Sequence, residues 1–281
     1  MKTHDHNAQG VKSSLIAIEA DFNAELNKYI NVVETATLVS QNQGGVSTDG
    51  RGIRSSRIFT RQVLSGLSLL KLLSHSSPHD LLWDVGSVAS LSRNLIEGFL
   101  SLYYFGLEKI SDEEAELRFF IAQRHRNIEL YNIRKAYNIP SSELEDFKNG
   151  IPIETDRIKN HLFFKTLTEA QKKRILNGAE MYKTRQEFEA EIPFCKGLIA
   201  NYRQLSNLVH PLPLYIEQIS NDHGRGLGSV GEIGYCLLCT MFGRKYLAAS
   251  TVGIVDHFPN HFSSQIKKEI DNLRNLIHEG F

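Results

Sequence analysis

The segment Tyr202-Arg-Gln-Leu-Ser-Asn-Leu-Val-His-Pro211 carries the residue types in this chain best suited to chemistry. Seven residues are almost two helical turns, so on a helix Arg203 and His210 face the same way, with Ser206 and Asn207 between them. Leu205, Leu208 and Val209 fall on the other side and can bury. An Arg that holds a phosphate and a His that moves a proton are enough to cleave RNA at its own 2′-hydroxyl. The His deprotonates the attacking hydroxyl or protonates the leaving oxygen, while the Arg stabilises the charge gathering on phosphorus. That chemistry needs no metal and no other cofactor. The spacing itself carries no weight, because roughly two pairs with an Arg five to seven residues before a His arise by chance in such a composition. Arg118 with His125 is the second pair. The structural alternative is a His favoured by the helix dipole at a C-terminus, with Arg203 in an ion pair to a neighbouring helix.

Arg93 and Glu97 lie one turn apart in the stretch Asp80–Phe105, where Val85, Val88, Leu95, Phe99 and Leu102 repeat at helical spacing. Charges are seldom buried unless paired, so the two either pair with each other or face a polar cavity between helices. In the second case Arg93, Glu97, Arg203 and His210 converge from two helices on one pocket. Glu97 then orients His210 or fixes the guanidinium fork of Arg203 toward a phosphate.

Other motifs carry less. Gly226-Leu-Gly-Ser-Val-Gly231 fits the dinucleotide-binding pattern and precedes a helix, but no strand leads into it, so it reads as a flexible loop. Cys236 and Cys239 stand inside a helix without a second ligand pair and read as buried thiols. His257 and His261 are separated by Pro259 and have no third ligand in reach, and His4 and His6 sit near the start of the chain. A basic run from Arg118 to Lys135, with Arg124, His125, Arg126 and Arg134, would suit one positive face toward RNA.

The elements that must position these groups read as helices. Apolar residues step by three and four from Leu15 through Phe22, Tyr29, Val33 and Ala36, which makes one long amphipathic helix. The Gly-rich stretch 41–52 then reads as a flexible connection that sets residues 1–45 apart as an arm. A helix through Ile58–Leu73 follows, and Pro78 and Asp80 suit the start of the next. Ser111 and Glu114 form a capping box ahead of a helix to about Tyr137. Residues 138–180, with Gly150 and Pro152, read as short accessory helices, and helical spacing resumes from Met181 to His210. An apolar helix covers Val230–Val255 and an amphipathic one Ser263–His278; Leu212–Ile219 is the one strand candidate. The expected fold is therefore all-α, a multi-helix bundle over 53–281.

Composition limits the partners. Lys+Arg 32 balance Asp+Glu 32, which removes the general argument for a polyanion or membrane-surface binder. The most apolar helix is interrupted by Glu232, Arg244 and Lys245, so no membrane span is expected. A polar N-terminus and three cysteines point to a cytoplasmic protein without a disulfide framework.

Taken together, the Arg93-Asn-Leu-Ile-Glu97 helix and the Tyr202–Pro211 helix end resemble an uncharacterised family of bacterial all-helical proteins. The helix end is in turn similar to the Arg-x(4–6)-His signature of the HEPN superfamily, with the likeness covering roughly Asp80–Val255. The resemblance implies a HEPN-like bundle, often a homodimer, with relatives among metal-independent RNases of toxin–antitoxin and phage-defence systems. It implies RNA as the partner, beside an antitoxin or defence protein, and Arg203 and His210 as the cleaving pair. Gln204 departs from the pattern, which commonly has Asn, Asp or His after the Arg. The reading from another class is a non-enzymatic helical interaction or ligand-binding module, in which the same residues form a structural polar network.

Overall fold

A computed structural model of the chain describes residues 3–46, 48–74, 82–210, 213–217, 219 and 224–278, with backbone only for 3–12, 141, 215 and 278. The helices are α1 (Thr3–Gln41), α2 (Gly50–Leu73), α3 (Val85–Leu102), α4 (Asp112–Ala136), α5 (Ser141–Asn160) and α6 (Leu162–Thr166). They continue as α7 (Glu169–Leu176), α8 (Arg185–Glu191), α9 (Leu198–Val209), α10 (Pro213–Ile216), α11 (Val230–His257) and α12 (Ser264–His278). A π-helical turn, Tyr103–Leu107, extends α3, and a 3₁₀ turn, Pro193–Cys195, precedes α9. No strand occurs among the described residues, so the expected all-α bundle is what forms. The strand candidate is corrected: Pro213 fixes φ at the first position of a helix and α10 starts there.

The chain divides into two compact units, Met1–Leu107 with Pro193–Phe281, and Glu108–Ile192. The first unit is organised around α11, which packs against α1, α2, α3 and α12. Its apolar residues run all round the helix, and Phe242, Tyr246, Leu247, Ala248, Val252 and Ile254 are all buried. The charge that interrupts it, Arg244, is paired with Glu25 of α1 and donates from Nη1 to the Leu276 carbonyl of α12 at 2.7 Å. The stripe Phe22, Tyr29, Val33 and Ala36 is buried as its spacing requires, and α1, expected as an arm, lies along α11. Tyr29 closes the contact by donating to the Gly66 carbonyl of α2 at 2.9 Å. Among the described residues no helix is long and apolar enough to cross a membrane.

The expected connection at 41–52 is shorter than its composition suggests, because Asp49 accepts from the Gly52 amide at 2.7 Å and caps α2 from Gly50 onward. Pro78 and Asp80 lie outside the described residues, and Asp84 is the observed N-cap of α3.

The second unit is one continuous run. Leu117, Phe120 and Ile121 of α4 are buried, and α4 packs against α5, whose Leu144 and Ile158 are buried. α5 runs unbroken through Gly150 and Pro152, where a break between short helices was expected. The long helix expected over 181–210 is instead interrupted. Ile192 leaves the helical region, Pro193 starts a 3₁₀ turn and Gly197 takes a left-handed φ of 83° that admits α9.

Candidate functional site

α3 buries Val88, Ala89, Ser92, Leu95, Ile96 and Phe99, which leaves Arg93 and Glu97 on the flank that meets α9. α9 buries Leu198, Leu205 and Leu208 and brings Tyr202 to the same flank. The two motif helices are therefore in contact, and their polar residues meet through a tyrosine. Arg93 Nε donates to the Tyr202 hydroxyl at 2.8 Å and to Glu97 Oε1 at 3.3 Å, while the Tyr202 hydroxyl donates to Glu97. The guanidinium also lies over the Tyr202 ring, 4.8 Å from its centre. Burial works against the charge on Arg93, but Tyr202 and Glu97 outweigh it and hold the guanidinium above its ordinary value. Among the described residues the two terminal nitrogens of Arg93 have no partner, and its side chain is 26% exposed. A cation fixed by its inner nitrogen thus presents an open fork, the geometry that takes an oxyanion in two parallel hydrogen bonds.

Among the described residues, the other sequence-predicted side chains make no bond with the side chains of this cluster. Arg203 and His210 are exposed, and among the described residues neither side chain is in a hydrogen bond or ion pair. His210 is the C-cap of α9, with extended backbone. Ser206 Oγ donates back to the Tyr202 carbonyl and Asn207 Nδ2 to the Arg203 carbonyl, both at 2.8 Å. These two side chains are turned onto their own helix. Tyr202, which completes the cluster, was not among the residues singled out. Its position one turn before Ser206, at the head of the same segment, was the signal that could have found it.

The basic run of α4 is put to a different use. Arg118 and Arg124 are buried, at 2% and 8% exposure, so two of its cations are internal and face no ligand. Arg118 Nη1 is in an ion pair with Glu108 Oε2 at 2.8 Å, the guanidinium is also paired with Glu114, and it reaches the Tyr182 hydroxyl from Nε and Nη2 at 3.3 and 3.2 Å. Lys183 closes the cluster on Glu108 and Glu191 at 2.5 and 2.6 Å. Burial pushes the Tyr182 hydroxyl well above its usual range. Arg124 donates to Thr155 and to the Ile175 and Leu176 carbonyls, and His125 Nδ1 lies 2.7 Å from the Gly178 carbonyl. The Arg118–His125 pair is thus occupied within the fold.

The Gly-rich loop also has an internal occupant. Gly224, Gly226 and Gly228 all take left-handed φ near 80°, and a Cβ at Gly228 would meet Trp83 at 2.9 Å. This alternation turns the amides of Gly226, Gly228 and Ser229 inward onto the Glu232 carboxylate at 2.6, 3.0 and 2.8 Å. Burial alone would raise the Glu232 carboxyl, but the backbone donors prevail and hold it below the usual carboxylate value. The place where a phosphate would sit is filled by a side chain of the protein.

Cys236 and Cys239 are buried, and burial pushes the Cys236 thiol up to about 12, so it stays protonated. His261 Nε2 lies 2.6 Å from the Asn42 carbonyl. Among the described residues no three His, Cys, Asp or Glu side chains gather to hold a metal ion. The side chains of His4 and His6 lie outside the described residues. No protein-family model, curated protein or solved structure matches the chain.

Proposed function

We propose that the α3–α9 face is a HEPN-like site that binds RNA through a backbone phosphate and cleaves it without a metal ion. Arg93 and Arg203 hold the phosphate, and His210 exchanges the proton with the 2′-hydroxyl or the leaving oxygen. The observation that carries this reading is the open fork of Arg93, fixed by Tyr202 and Glu97. The exposed Arg203 and His210 on α9 support it. The resemblance behind it implies a bacterial defence or stress setting and a homodimer, with an antitoxin or defence protein as the partner to look for. The test is incubation of the purified chain with labelled single-stranded RNA, with and without EDTA, beside Arg203→Ala and His210→Ala. EDTA-resistant products with 2′,3′-cyclic phosphate ends, lost in both variants, are expected. Cleavage that survives His210→Ala removes the His from the mechanism.

A second reading has its own observation. Tyr202 ties α9 to α3 through both Arg93 and Glu97, which is what a structural network in a non-enzymatic interaction module would do. It predicts no cleavage by the folded protein, and a loss of stability for Arg93→Ala as large as a broken buried pair, about 3–5 kcal/mol.

A further inference from the structure

The second unit contains a concavity of about 580 Å³ where the end of α5, α6 and α7 come together. Lys159, Lys165, Lys172 and Lys173 line it, with Phe164 and Leu176 as apolar wall. Its one acidic side chain, Glu169, is bonded to Lys172 at 2.8 Å. Lys159, Lys165 and Lys173 are exposed, and among the described residues none of the three has a partner. Acidic and basic residues nearly balance across Glu108–Ile192, so this is a local concentration of positive charge rather than a basic domain.

Behind the wall, the buried guanidinium of Arg124 takes the Ile175 and Leu176 carbonyls at 3.0 and 3.2 Å. These belong to the C-terminal end of α7, where free carbonyls would repel an anion. Arg124 therefore removes the repulsion and adds a fixed positive charge. The volume lies within the range of small-molecule sites, roughly 300–1,000 Å³. Lysines bind phosphate as mobile point charges, and several of them suit a chain of phosphates better than a single one.

We propose that this concavity binds a small organic polyphosphate, of which a nucleoside diphosphate has the fitting size. The phosphates sit on Lys159, Lys165 and Lys173, and the organic part lies against Phe164 and Leu176. The site lies in the other unit from the α3–α9 face and does not depend on the RNA reading.

The test is calorimetric titration of the full chain with ADP, inorganic pyrophosphate, adenosine and a 2′-O-methyl RNA hexamer, which the chemistry proposed above could not cut. ADP and pyrophosphate are expected to bind and adenosine is not, and added salt should weaken the binding. Lys165→Gln with Lys173→Gln should lower the affinity at least tenfold, whereas Lys165→Arg with Lys173→Arg, which keeps the charge and the exposed positions, should retain it. The proposal is overturned if neither ADP nor pyrophosphate binds at millimolar concentration, or if the Gln pair binds as the wild type does. It is equally overturned if the hexamer binds in a lysine-dependent way and the small phosphates do not, which would make the surface an RNA-backbone contact.

Discussion

Both units hold the same three groups in a cluster: an Arg, a Glu one turn away on the same helix, and a Tyr from far along the chain, on α9 in one case and in the loop between α7 and α8 in the other. In the first they are Arg93, Glu97 and Tyr202; in the second Arg118, Glu114 and Tyr182. In each the guanidinium covers the tyrosine ring, at 4.8 and 5.4 Å. What differs is completion. Arg118 uses Nε, Nη1 and Nη2 and is 2% exposed, with Glu108 and Lys183 closing the cluster. Arg93 uses Nε and keeps its fork open. The same contrast separates the two Arg-x(6)-His pairs, with Arg118 and His125 bonded inside the fold and Arg203 and His210 exposed. Residue types and spacing do not tell a structural fastening from a ligand site, whereas the donors left over do.

The largest effect that would break this contrast is expected at Arg118. Arg118→Ala leaves Glu108 and Glu114 without their guanidinium in a mostly buried place and should cost about 3–5 kcal/mol. Urea denaturation, with hydrogen exchange over residues 108–192, measures it; a loss near that of Arg93→Ala would make the clusters equivalent. Arg93→Ala removes a pair that is partly exposed on both sides, and about 1 kcal/mol or less is expected.

Glu232 provides a pH-dependent comparison, because its loop amides complete an internal anion site. Its carboxyl is held below the unfolded value of about 4.3, so its contribution is fully present above that pH and is lost as pH falls through the lower folded value. Glu232→Gln should cost about 1–3 kcal/mol at pH 7. It should also flatten the fall in stability between pH 5 and 3, read from urea midpoints. A slope unchanged by the substitution would remove the loop from the acid response.

Among the hydroxyls, Tyr182→Phe should cost about 1–3 kcal/mol and Tyr202→Phe about 1 kcal/mol, with thermal melting as the readout. Equal losses would blur the distinction between the clusters. Smallest of all, His210→Ala and Arg203→Ala should stay within about 0.5 kcal/mol of the wild type, as exposed positions do. Circular dichroism melts of the variants used for the RNA assay check this directly.

Much of the fold was legible. The stripes of α1 and α12 and the all-round apolar character of α11 follow from spacing, since burial on one face or on all faces leaves different periodicities. The break between α8 and α9 was less so, because Pro193 and Gly197 interrupt a run whose apolar spacing reads through them. α5 erred the other way, with buried Leu144 and Ile158 packing a helix that Gly150 and Pro152 alone would divide. Of the site, Arg93 with Glu97 could be found from the sequence because charges in an apolar helix need a partner. Tyr202 was marked only by its place at the head of the same segment, since a hydroxyl's role becomes clear when its neighbours across the helix gap are known. For the same reason Arg118 and Arg124 looked like surface charge, as Tyr182, which covers Arg118, and the Ile175 and Leu176 carbonyls, which hold Arg124, lie far along the chain.

The place of α11 in the chain has a consequence for synthesis. The second unit is continuous in sequence, so all of its own helices exist once Ile192 has left the ribosome and it can fold while the chain is still growing. The first unit cannot. Its α1, α2 and α3 close on a helix that begins at Val230, so their apolar stripes must wait through the translation of everything between. During that interval they are the surfaces a chaperone would meet, and the unit can begin to close only when its central helix α11 arrives, with α12 still to follow.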